Sequence, residues 1–210
     1  IASMITVREF DDKHSIVMAT EKGTVKKTNL SLFSNIRKKG IIAINIREDD
    51  RLIAATLTDG NNDIFIATSD GFAIRFNENE VSEMGRSATG VRGITLRESD
   101  KVVGMQVVPS EQTTVLVICE NGFGKRTPFE EFRLTGRRGK GIIAIKTSER
   151  NGKVVNAIVV DEKDDVMLIT VSGMMVRTPV SGIPIVGRNT QGVRVINLKE
   201  DDKLTSMTTV

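Results

Sequence analysis

The residues that could do chemistry are cations held in a fixed relation to glycine. Four residues after Gly23, Gly71, Gly122 and Gly173 stand Lys27, Arg75, Arg126 and Arg177, with Lys26 and Lys125 preceding two of them. A second set lies around Gly40, Gly90, Gly141 and Gly192. It comprises Arg37, Lys38 and Lys39; Arg86 and Arg92; Arg137, Arg138 and Lys140; and Arg188 and Arg194. Cations beside glycine suit the holding of phosphate oxygens, because the side chain supplies charge and a backbone without Cβ lets amide groups approach. Thr28, Thr127 and Thr178 follow three of the first set and could donate to phosphate, although strand propensity explains them as well. Two plainer readings stand beside this one. Repeats copy whatever cation the ancestral unit carried. The four cations after the turn glycines could also lie half buried, with their aliphatic stems in the core.

Other chemistries have little to work with. His14 is the only histidine, in the polar run DDKHS with Asp11 and Asp12, and reads as a solvated loop residue. Cys119 is the only cysteine, inside the apolar run VLVIC, and reads as a reduced core thiol. There is no Tyr and no Trp, so this chain supplies no tyrosine nucleophile, and the eight Phe read mostly as core. GRRGKG lacks the spacing and the following Ser or Thr of a nucleotide-binding loop. No apolar run approaches the length of a membrane span. Lys and Arg number 30 against 27 Asp and Glu, a net charge of only +3, so any polyanion site must rest on where the charges lie.

The elements that must position these cations repeat. The turn glycines are spaced by 48, 51 and 51 residues, and the second glycine series by 50, 51 and 51. Two markers in step predict about four units of about 50 residues. Each unit reads as four short strands rich in Ile, Val, Leu and Thr; in the second they fall near 41–46, 52–57, 64–68 and 72–76. Asp70-Gly71 and Asn121-Gly122 predict tight hairpins. About fourteen residues without strand pattern follow, with a short helical turn possible at 77–84. The expected class is all-β, a propeller of four-stranded blades. Residues 1–7 (IASMITV) and 204–210 (LTSMTTV) both resemble 102–108 (VVGMQVV), so the chain begins and ends on the same strand. It opens on Ile1 and mid-pattern, which predicts a fragment of a longer protein with an incomplete disc.

Acids follow another rule. Glu48, Asp49 and Asp50, then Glu98 and Asp100, then Glu200, Asp201 and Asp202 cluster one strand beyond the basic loops. A six-residue strand between them would separate the two charges by roughly 20 Å. Blades basic at one end and acidic at the other would join their basic ends into one curved band, able to hold a polyanion despite the low net charge. The loop cations should then matter more for duplex binding than Arg47 and Lys199 beside the acidic turns. A propeller that binds proteins around its central channel is the rival from another class, and it predicts little salt dependence.

The stretches MGRSATGVRGI (84–94), ENGFGKRT (120–127) and IVGRNTQGV (185–193) resemble the C-terminal domain of DNA gyrase A, and the likeness extends over essentially all 210 residues. The resemblance implies a β-pinwheel whose blades exchange a strand, one domain over 1–210. It implies cytoplasmic, non-sequence-specific wrapping of duplex DNA around the rim in support of negative supercoiling. The partners implied are duplex DNA, the rest of gyrase A, and gyrase B, without a membrane. No cofactor is implied for this domain: the ATPase, its Mg and the cleaving tyrosine belong elsewhere in the holoenzyme. The family's QRRGGKG box has no full copy. Its nearest match is Thr135, Gly136, Arg137, Arg138, Gly139, Lys140 and Gly141, which keeps Arg137, Gly139, Lys140 and Gly141 when aligned on the last glycine. Family domains usually have six blades, so a chain lacking the blade with the true box should bind DNA but wrap it poorly. The topoisomerase IV domain is the nearest alternative.

Overall fold

The computed structural model describes residues 2–108 and 113–210. Each turn glycine closes a hairpin: β1 (Ser15–Thr20) with β2 (Thr24–Asn29), β4 (Asp63–Thr68) with β5 (Phe72–Asn77), β8 (Thr114–Cys119) with β9 (Phe123–Pro128), and β12 (Asp165–Thr170) with β13 (Met175–Pro179). Gly23, Gly71, Gly122 and Gly173 have φ between +82° and +86° in the hairpin turns, a conformation that costs glycine little. A longer strand then pairs antiparallel with the first strand of each hairpin. These are β3 (Leu52–Thr58), β7 (Val102–Val108), β11 (Val154–Val160) and β15 (Leu204–Thr209). All four pairings carry a register shift at the same place, between Ala19 and Thr20 in the first.

The fourth strand of a sheet comes from the following repeat. β6 (Val91–Arg92) pairs with β2, β10 (Ile142–Ile143) with β5, and β14 (Val193–Arg194) with β9. The sheets therefore run β3-β1-β2-β6, β10-β5-β4-β7, β11-β8-β9-β14 and, with three strands, β13-β12-β15. This corrects the expectation that each unit folds four strands of its own. Residues 41–46 form no strand, because their acceptor would lie in a preceding blade. Residues 2–7 are not a strand either, for the same reason, although 204–209 are; Ser3 Oγ donates to Ala55 O instead. Ile1 lies outside the described residues.

Between hairpin and exchanged strand sits a 3₁₀ turn, at Leu30–Phe33, Glu78–Glu80, Phe129–Glu131 and Val180–Gly182. Asn29 and Asn77 cap the first two by accepting from Ser31 N and Asn79 N; Pro128 and Pro179 hold the cap position in the others. Within 77–84 only Glu78–Glu80 is helical.

Three apolar clusters fill the spaces between successive blades. The first joins Val17, Ala19 and Val25 to Ile64, Ile66 and Phe76. The second joins Phe65 and Ala67 to Val115, Val117 and Cys119, and the third joins Leu116 and Ile118 to Val166 and Leu168. Ile64 and Ile66 face one neighbour and Phe65 and Ala67 the other, so a middle strand is buried on both faces. Cys119 is fully buried and desolvation pushes its thiol up to about 12, consistent with a core residue.

Candidate nucleic-acid interface

The first cation set turns inward. Lys27, Arg75 and Arg126 are buried, and each reaches a carbonyl in the 3₁₀ region of the next repeat: Lys27 Nζ to Glu78 O at 3.2 Å, Arg75 Nη1 to Phe132 O at 3.3 Å, Arg126 Nε to Ile183 O at 2.7 Å. Lys27 also faces the buried Glu78 carboxylate at 3.5 Å, and Arg75 pairs with Asp63 at 2.7 Å while lying over Phe129. Lys26 and Lys125 are fully buried. Lys26 Nζ donates to Ala43 O and Arg86 O, and Lys125 Nζ to Gly187 O at 2.6 Å. These five cations are therefore corrected from phosphate ligands to staples between blades, since reaching solvent would strand their buried acceptors. Thr28 and Thr127 are buried too, and Thr127 Oγ1 donates to Val186 O, which removes them as phosphate donors. Only Arg177 of the set is exposed, paired with Asp165 at 2.6 Å.

Burial lowers the Lys125 ammonium to about 8, with Arg188 adding to the drop and Glu131 opposing it. The native state then sheds this proton before the unfolded chain, whose lysine titrates near 10.4. Below pH 8 both forms carry it and the burial penalty is constant. Between about pH 8 and 10.4 the unfolded state binds more protons, so this group's contribution to stability rises with pH. Chemical denaturation of wild type and Lys125→Met should show the difference moving in favour of wild type by about 1.4 kcal/mol per pH unit across that window.

The second set lies on the loops that cover the exchanged strands. Arg37, Lys38, Lys39, Arg92, Arg138, Lys140 and Arg194 are exposed; Arg86, Arg137 and Arg188 are half-buried. Successive loops are anchored in the same way. Arg137 N donates to Glu80 Oε2 at 2.9 Å and its Nη1 to Arg92 O at 3.2 Å. One repeat on, Arg188 N donates to Glu131 Oε2 at 3.1 Å and its Nη1 to Ile143 O at 3.2 Å. Arg137 and Arg188 are thus clamps first, and the charge free to meet a ligand lies beside them. Arg138 N donates to Gly93 O, Thr95 Oγ1 to Arg138 O, and Arg97 Nη1 to Lys140 O, so this loop is held by its backbone with both side chains outward.

The richest loop, 136–140, has a particular setting. Where neighbouring repeats place Lys26 and Lys125, this one has Ile74, and a cavity of about 170 Å³ lies between Ile74, Arg75, Phe132, Gly136 and Gly139. Arg138 has φ +72°, left-handed backbone that costs a non-glycine residue about 1 kcal/mol, and it stands where the aligned box has glycine. Arg138→Gly should raise stability by about 1 kcal/mol in denaturant titrations while losing one surface cation.

No six-residue strand joins these loops to the acidic turns. Only two residues of each exchanged segment pair in a sheet, and an unpaired stretch leads on to the acidic turn. Asp100 Oδ1 accepts from Ser69 Oγ, Asp70 N and Lys101 N, and Asp50 Oδ1 from Lys22 N and Arg51 N, so these acids cap hairpin turns. Asp202 does the same with Ser172, whose hydrogen bonds hold its carboxyl low, at about 2. His14 Nδ1 sits 2.8 Å from Asp11 Oδ2 in a loop. Among the described residues no cluster could hold a metal, and no helix is long and apolar enough to cross a membrane. Sequence reading passed over Arg97, whose guanidinium lies 3.3 Å above the Phe72 ring, and the exposed Arg133 and Lys146, because none falls in the windows set by the glycines.

A family profile described as the DNA gyrase C-terminal domain, beta-propeller, matches residues 14–59, 62–109, 113–161 and 164–210. The chain belongs to the DNA gyrase C-terminal domain family. Its four matched segments begin and end close to the repeats defined above. Among relatives, DNA gyrase A of Salmonella typhimurium is 45% identical over 207 residues, covering 99% of this chain and 24% of that protein. The Staphylococcus aureus protein of the same name is 46% identical over 212 residues, covering 100% and 24%. The chain thus spans about a quarter of the length of these relatives. A solved DNA gyrase A C-terminal domain superimposes with a TM-score of 0.87 at 26% identity, over 97% of this chain and 68% of that one. The solved C-terminal domain of DNA topoisomerase IV gives 0.92 at 28% identity, over 98% and 64%. In this gyrase-family domain the exchanged strand is what brings the loop of one repeat over the sheet of the last.

Proposed function

We propose that residues 1–210 act as one unit that binds and bends duplex DNA without sequence specificity, supporting negative supercoiling by a gyrase. The observation that carries this reading is the common anchoring of the loops at Arg137 and Arg188, which holds these two half-buried guanidinium groups at matching places on successive repeats, with the exposed cations Arg138, Lys140 and Arg194 nearby in sequence. Family membership adds to it. Contacts of this kind displace counterions and read the backbone, and the helical elements among the described residues are 3₁₀ turns of three or four residues, too short to read a groove. DNA cleavage and ATP hydrolysis fall to the rest of gyrase A and to gyrase B, and this chain has no tyrosine to contribute. With about eight phosphate contacts, log K against log salt for linear duplex should have a slope near −7 by fluorescence anisotropy. A slope near zero would favour a protein-binding propeller.

The topoisomerase IV reading has its own support in the TM-score of 0.92 and in the incomplete box. Religation of a nicked circle with the domain bound separates the two. A change in linking number supports gyrase-type wrapping; bending without that change supports the topoisomerase IV type.

A further inference from the structure

The loops around Arg86, Arg137 and Arg188 are each held to the preceding repeat by a different set of side chains. At the first, Lys26 Nζ donates to Arg86 O and Ala43 O, and the 3₁₀ turn offers Leu32 where the next two repeats have a carboxylate. At the second, Glu80 ends the turn Glu78–Glu80 and its Oε2 accepts from Arg137 N at 2.9 Å. No lysine helps there, because Ile74 stands at the position of Lys26. At the third, both holds are present. Glu131 ends the turn Phe129–Glu131 and its Oε2 accepts from Arg188 N at 3.1 Å, while Lys125 Nζ donates to Gly187 O at 2.6 Å.

Glu80 and Glu131 share one geometry. A Cβ on Gly136 would lie 3.7 Å from Glu80 Oε2, and one on Gly187 3.8 Å from Glu131 Oε2, so the same oxygen meets the same point of each loop. Both residues are exposed and neighbour cations, yet among the described residues neither forms an ion pair. Each carboxylate accepts from a main-chain amide instead. Negative charge on a surface that meets phosphate weakens its long-range attraction, so two such carboxylates call for a local reason. A hydrogen bond from an amide to a carboxylate is charge-assisted, and it fixes direction as well as distance. The amide that Glu80 fixes lies one residue before Arg138 and three before Lys140, both exposed.

We propose that Glu80 and Glu131 are positioning residues for duplex binding, each ordering the loop of the next repeat before DNA arrives, so that binding does not have to order it. This rests on the duplex-binding reading above. Glu80 carries more of the role, because Lys125 shares it with Glu131 at the third loop and no lysine shares it at the second.

Glutamine separates position from charge. Glu80→Gln and Glu80→Ala remove the same negative charge, and only glutamine keeps an oxygen for Arg137 N. In anisotropy titrations with linear duplex, Glu80→Gln should bind at least as tightly as wild type. Glu80→Ala should bind about tenfold more weakly than Glu80→Gln, with the same salt slope. The gap between Glu131→Ala and Glu131→Gln should stay within about threefold. Without DNA, amide exchange at Arg137 should quicken in Glu80→Ala and stay near wild type in Glu80→Gln. Circular dichroism checks that all four variants fold. Equal affinities for Glu80→Ala and Glu80→Gln, on a wild type with a steep salt slope, overturn the positioning role and leave the duplex reading standing. So does Arg137 exchange that is the same in both variants. A gap at Glu131 as wide as that at Glu80 overturns the greater weight given to Glu80. A wild-type slope near zero overturns the duplex reading and this inference with it.

Discussion

Asp63→Ala should destabilise the fold by about 3–5 kcal/mol, while Asp165→Ala should cost less than about 1 kcal/mol in dilute solution. The two carboxylates do the same job. Asp63 Oδ2 accepts from Arg75 Nε at 2.8 Å and Asp165 Oδ2 from Arg177 Nε at 2.7 Å, each pair spanning one hairpin. They differ in what lies on top. Arg75 is roofed by Phe129 and by Phe132 O of the next repeat, so removal of Asp63 leaves a buried guanidinium without the carboxylate that offsets its charge. Arg177 has solvent there, and water replaces Asp165 at little cost. Urea titrations of both variants check this. Equal losses would mean that coverage by the following repeat does not set the worth of the pair.

Duplex affinity should fall about a hundredfold at 0.15 M salt when Arg92, Arg138 and Lys140 are replaced together by alanine, and the salt slope should shrink by about 2.7. These three side chains are exposed, while their backbone groups do the anchoring: Arg137 donates to Arg92 O, and Arg138 N and Lys140 O are bonded to the neighbouring segment. Alanine keeps those bonds, so charge is lost without loss of the loop. Arg47→Ala with Lys199→Ala, exposed beside the acidic turns, should change affinity by less than about threefold. Anisotropy at several salt concentrations measures both numbers, and equal losses from the two sets would refute the loops as the phosphate track.

The repeat and its hairpins were legible because positive φ leaves a mark, glycine, that recurs at a fixed interval. The loop cations were legible for the same reason. The inward cations were not. Their strands are buried on both faces, so alternation of side chains cannot separate inside from outside. Their acceptors, Phe132 O, Ile183 O and Gly187 O, are main-chain atoms in the following repeat, with no sequence signature. GIIAI is the clearest case. At 141–145 it adds a strand to β5 and at 40–44 it does not, so nothing in those five letters decides the outcome. The partner strand decides it.

Because each four-stranded sheet borrows a strand from the following repeat, the unit that is copied in a gene and the unit that packs in space are out of phase. Gain or loss of one unit by unequal recombination rejoins the survivors with the backbone hydrogen bonds of the junction replaced in kind. Copy number in such a lineage can drift without any new interface being invented, and a single excised unit would have nothing to complete it.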